Sequence, residues 1–60
     1  MTLAEKIIDY RTKNLISQGE MARRCGVAVM TINAIENGKT NPSLLTESKI
    51  RKVIDKGGKK

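Results

Sequence analysis

Sixty residues allow one small domain, and 12 Lys and Arg against 6 Asp and Glu leave a net charge of +6. One Tyr with no Phe or Trp makes the core aliphatic and modest, which suits a helical bundle better than a sandwich or barrel. The absence of His and the single Cys exclude a zinc site, a His-based acid–base pair and an internal disulfide, and the scattered carboxylates do not support an enzyme.

The basic balance points toward nucleic acid or another anionic surface, but it is uneven. Residues 1–48 carry six basic and five acidic side chains, whereas residues 49–60 carry six basic side chains and Asp55. The body is nearly neutral and the tail holds the excess. The tail reads either as a solubilising extension or as an arm that touches phosphate. The glycines form no phosphate-binding loop followed by Lys-Ser/Thr. No apolar run is long enough to span a bilayer, and no signal peptide is visible. A lone Cys25 suits a reducing compartment, where a buried thiol acts as a small hydrophobe.

The first helix is predicted from Thr2 to Lys13. Thr2, with Glu5 three residues on, forms a capping box. Leu3, Ile7 and Tyr10 fall near one face, with Ile8 beside them. Arg11 and Lys13 suit the negative end of the helix, and Asn14 is the residue expected to take the left-handed exit. Ile16 precedes Ser17, where it is placed to staple against Met21.

Ser17 and Glu20 predict a second capping box, opening a helix with Met21, Ala22 and Cys25 on one face. Gly19 near its start costs roughly 1 kcal/mol relative to Ala. Arg23 and Arg24 lie on the outer face, as solvated charges or as phosphate contacts. Gly26 supplies a left-handed stop. The helical pattern resumes from Val27 to Asn37, with Val27, Ile32 and Ile35 apolar. Ala28 stands at the cap of this helix and cannot accept its orphan N–H bonds, a cost of about 1 kcal/mol. Asn37-Gly38 ends it, and Pro42 blocks an early restart. Ser43 can cap a fourth helix from Leu44 to about Ile54, with Leu44, Ile50, Val53 and Ile54 on its apolar side. The closing stretch Lys56-Gly57-Gly58-Lys59-Lys60 is expected to be disordered.

Two short helices joined through one glycine must cross steeply. Their close approach demands a small side chain on the first, and Ala22 supplies it. Ile32 and Ile35 can then pack over Ala22 and Cys25. The opposite face of the second helix, with Val29, Met30, Asn33 and Ala34, is left exposed and convex, a shape that fits the DNA major groove.

Ser17-Gln18, Ala22, Gly26-Val27, Thr31-Ile32 and Ile35-Glu36-Asn37-Gly38-Lys39, all in register, resemble the helix-turn-helix of the Cro and phage-repressor type, the lambda-repressor-like family of bacterial and phage regulators. The similarity extends back to Ile7 and Arg11 and forward to Pro42-Ser43 and Ile50. The resemblance implies an all-α fold, a compact bundle of four or five short helices, with a recognition helix at about 28–37. It implies sequence-specific binding of double-stranded DNA by a transcriptional regulator, a repressor by preference. Gln18, Ala28, Val29, Met30, Asn33 and Ala34 are then the candidate base readers. Ser17, Thr31, Asn37 and Lys39 are the candidate DNA-backbone contacts. The family also pairs an arginine at the place of Arg11 with the glutamate at the place of Glu36, tying the first helix to the third; two independent surface charges are the alternative. This chain departs from the family in Ala28, where Ser or Thr is usual, in Glu47, where an apolar residue is usual, and in Asp55, where a glycine usually ends the helix.

These readings divide the chain into a DNA-binding domain over 1–55 and a basic tail over 56–60. With no fifth helix in sight, a monomer or weak homodimer that pairs on a palindromic site is expected, in the cytoplasm of a bacterial or phage-infected cell. No cofactor, metal, small-molecule ligand or membrane is expected as a partner. One rival is a protein-interaction module on the same fold, such as an antitoxin neutralising a partner. Val29 and Met30 themselves read either as base contacts or as a protein-contact patch. Another is a non-specific basic binder of RNA or anionic membranes, which would concentrate Lys and Arg along one amphipathic helix.

Overall fold

The computed structural model describes residues 2–58 and is built of four helices: α1 Leu3–Asn14, α2 Gln18–Cys25, α3 Val29–Glu36 and α4 Leu44–Gly58. The described residues contain no strand, so the fold is all-α. Each helix lends one fully buried side chain to a common centre: Ile7, Met21, Ile32 and Ile50. Tyr10, Ala22, Cys25 and Ile35 complete the core, and Leu3, Ala4, Ile16, Val27, Val53 and Ile54 pack at its edges. A fully buried aliphatic side chain of this size contributes about 1.5–3 kcal/mol, so these four hold the helices together. Burial pushes the Cys25 thiol pKa up, which keeps it in its apolar, protonated form. The third helix packs against α1 and α2, and α4 packs against the same two.

The first three helices end alike. At each end one N–H reaches five residues back: Ile16 to Arg11, Val27 to Ala22, and Lys39 to Ala34. The preceding N–H reaches three back, from Leu15 to Thr12, Gly26 to Arg23, and Gly38 to Ile35. This pair of hydrogen bonds satisfies the last free carbonyls of a helix and needs a left-handed residue at the turn. Gly26 and Gly38 fill that place with φ of 72° and 70°, but in the first turn Leu15 does so at φ 55°.

Asn14, expected at the left-handed exit, is still helical. Its side chain donates from Nδ2 to the Tyr10 carbonyl at 2.8 Å, which holds it in the last turn and passes the exit to Leu15. The first capping box forms in full. The second forms by half: Ser17 Oγ accepts from the Glu20 N–H, while the Glu20 carboxylate turns to Arg23 and Arg24 instead of back to Ser17. Ile8 is exposed because it lies about 100° round the helix from Ile7. Leu44 is exposed because it sits in the first turn of α4, ahead of the stretch around Ile50 that reaches the core. Ser43 Oγ accepts from the Thr46 N–H, so Ser43 does open α4. That helix runs past Ile54 to Gly58. Asp55 gives it no left-handed stop, and Lys56 favours its negative end. Of the stretch expected to be disordered, residues 56–58 are therefore helical, and Lys59 and Lys60 lie outside the described residues.

Two exposed backbone positions carry each other's ideal residue. Gly19 is helical, and a Cβ there would meet only Ser17 Oγ at an ordinary 3.7 Å. Leu15 is left-handed and 90% exposed. Gly19→Ala and Leu15→Gly are each expected to raise the unfolding free energy by about 0.5–1 kcal/mol in thermal or urea melts. A loss of stability in either would show a contact at that site beyond those described.

Candidate nucleic-acid interface

Only Gly26, Val27 and Ala28 separate α2 from α3. Ala22 on α2 and Ile32 and Ile35 on α3 are buried, so that side of α3 faces inward. On the other side Val29, Met30 and Asn33 are exposed, and Thr31 and Ala34 are half-buried at its margins. Ala28 is exposed in extended backbone and makes no side-chain cap. The first N–H groups of α3 thus lack a side-chain acceptor, an arrangement that favours an anionic oxygen. At the start of α2, Ser17 already spends its hydroxyl on the Glu20 N–H.

Behind this face lies a continuous chain of polar contacts. Arg11 Nη1 donates to both carboxylate oxygens of Glu36 at 3.0 Å. Gln18 Nε2 donates to Glu36 Oε1 at 2.9 Å, and Gln18 Oε1 accepts from Asn33 Nδ2 at 3.3 Å. Asn37 Nδ2 donates to the Asn33 carbonyl at 2.9 Å and to Asn33 Oδ1 at 3.2 Å. The Glu36 side chain is 8% exposed and that of Arg11 24%. A carboxylate so far out of water needs its donors, and here they are Arg11 and Gln18. Arg11 Nε is buried with no partner, which offsets part of what the pair contributes.

A second cluster lies on the outer side of α2. Glu20 binds Arg23 at 2.7 Å and Arg24 at 3.0 Å, and Arg24 Nη1 also donates to the Tyr10 hydroxyl at 3.2 Å. The hydrogen bonds from Arg23, and then from Arg24, hold the Glu20 carboxyl below its ordinary pKa. The Glu20 and Tyr10 contacts raise that of Arg24. Both arginines are thus engaged within the protein. Lys39, exposed just beyond α3, has no ion pair among the described residues.

The structure therefore joins Gln18, Asn33 and Asn37 to one another and to the Arg11–Glu36 pair, and leaves Ala28, Val29, Met30 and Lys39 open. Three of the contacts in the two clusters have a signal in the sequence: Asn33 with Asn37, Glu20 with Arg23 and Glu20 with Arg24 stand three or four residues apart. The bridge from Gln18 to Glu36 has none, because it depends on how α2 and α3 cross. No group of His, Cys, Asp and Glu among the described residues could hold a metal ion, and no described helix is long and apolar enough to cross a membrane.

The helix-turn-helix family matches residues 7–57, which takes in α2, the Gly26 turn and α3 together. The chain belongs to the Cro/C1-type helix-turn-helix family. Three similar proteins are archaeal. An uncharacterized HTH-type transcriptional regulator of Archaeoglobus fulgidus is 42% identical over 50 residues, covering 83% of this chain and 70% of its own. One of Methanocaldococcus jannaschii is 40% identical over 52 residues, covering 87% and 79%. A second from Archaeoglobus fulgidus is 40% identical over 50 residues, covering 83% and 71%. No solved structure matches significantly. The helix-turn-helix relatives thus extend the resemblance beyond bacteria and phage.

Proposed function

We propose that this protein is a transcriptional regulator, acting as a repressor, that binds double-stranded DNA with α3 in the major groove. The observation that carries this is the outer face of α3. It presents Val29, Met30 and Asn33 to solvent while its inner face is fixed on α1 and α2. An α-helix held in this way fits the major groove and can reach base edges from its first turns. Asn33 suits adenine, and Val29, Met30 and Ala34 suit thymine methyls, so the half-site is A·T-rich. Ala28, at the uncapped start of α3, stands close to the same edges. Ser17, Thr31, Asn37 and Lys39 lie toward the DNA backbone, where Lys39 supplies a cation with no ion pair among the described residues. Residues 1–55 form the DNA-binding body, and 56–60 extend it with basic charge.

Affinity for duplex DNA is expected to fall with salt, with a logarithmic slope of about −0.9 per phosphate neutralised. A binding constant indifferent to salt would overturn the proposal. One α3 with a single amide reader discriminates too little for a lone operator site. The proposal therefore includes two copies on a palindromic site, with half-sites about 34 Å apart. Sedimentation at micromolar concentration should give mostly monomer without DNA and two chains per operator with it. A stable dimer without DNA would contradict this part.

A further inference from the structure

The side-chain amide of Gln18 lies between two groups that fix its direction. On one side is the Glu36 carboxylate, which only accepts, so Nε2 must face it. Oε1 is thereby turned to Asn33 and accepts from Asn33 Nδ2. On the far side of Asn33, Asn37 Nδ2 donates to Asn33 Oδ1. Both neighbours demand the same direction of the Asn33 amide. The charge of Glu36, itself held by Arg11, is thus passed through Gln18 into a single orientation of Asn33.

We infer that Gln18 is a positioning residue that sets the base preference of Asn33; this rests on the DNA-binding reading above. An Asn amide has two N–H donors and an oxygen with two lone pairs. With one donor given to Gln18 and one lone pair given to Asn37, one N–H and one lone pair remain. That pair matches N7 and N6 of adenine, whereas guanine offers two acceptors, N7 and O6. An Asn33 free to turn could aim both N–H groups at guanine. Gln18, expected among the base readers, has both ends of its amide committed to Glu36 and Asn33, so its lock discriminates against guanine without a base contact of its own.

The test uses duplexes that carry A·T or G·C at the base pair where Asn33→Ala loses its preference. Gln18→Met keeps the length of the side chain and removes both amide contacts. It is expected to lower the preference for adenine at that base pair by roughly fivefold, and to add nothing in the Asn33→Ala background. Asn33→Ala altering the preference while Gln18→Met retains it would overturn the inference and leave the DNA reading standing. A second measurement needs neither DNA nor a variant that folds. Nitrogen-15 relaxation of the Asn33 side-chain amide should report a rigid group in the free wild-type protein. A freely turning amide there would overturn the inference by itself.

Discussion

Arg11→Met is expected to cost about 3 kcal/mol of stability, because it leaves the nearly buried Glu36 carboxylate with Gln18 as its remaining donor. Glu36→Gln is expected to cost less. The stranded Arg11 is the more exposed of the two partners, and an amide oxygen can still accept from it. The double variant should recover much of the loss, since it removes both charges from the interior. A domain of this length has only about 3–9 kcal/mol in total, so the single Arg11 variant should melt on the order of 10 °C lower or more. Strict additivity of the two single effects would mean that the pair is not coupled. The pair ties α1 to α3 at the height of Gln18, so its loss should also disturb the face that α3 presents.

Asn33→Ala and Lys39→Ala are expected to fail in opposite ways. Asn33 carries the one amide on the exposed face of α3. Its loss should relax specificity at one base pair by about 1–3 kcal/mol and leave non-specific binding nearly intact. Lys39 is an exposed cation with no ion pair among the described residues. Its loss should weaken binding to all sequences alike and reduce the salt slope by about 1. The contrast separates reading from positioning on the duplex. Titrations of both variants against matched and mismatched duplexes at several salt concentrations measure it.

The helices and their core were largely legible in the sequence, because caps, glycine stops and apolar spacing are local signals. Ser17, Gly26, Gly38 and Ser43 mark turns that depend on one residue and its near neighbours. Ile7, Met21, Ile32 and Ile50 follow helical spacing into one centre. What was misplaced lay where two local signals compete. Asn14 can take a left-handed turn or bind the carbonyl four residues back, and it does the second. Glu20 can close a capping box or hold two arginines, and it holds the arginines. The end of α4 depended on a glycine stop that Asp55 does not supply. Within the candidate site, the exposed face of α3 follows from Ile32 and Ile35 by periodicity alone. The link from Glu36 through Gln18 to Asn33 does not, because no spacing in the chain encodes a contact between helices.

Selection of binding sites from random duplex DNA tests the central claim most directly. The expected result is a palindromic, A·T-rich motif with half-sites about one helical turn apart, in which Asn33→Ala loses information at one base pair of each half-site. Recovery of no motif, or of the same motif with Asn33→Ala, would contradict it.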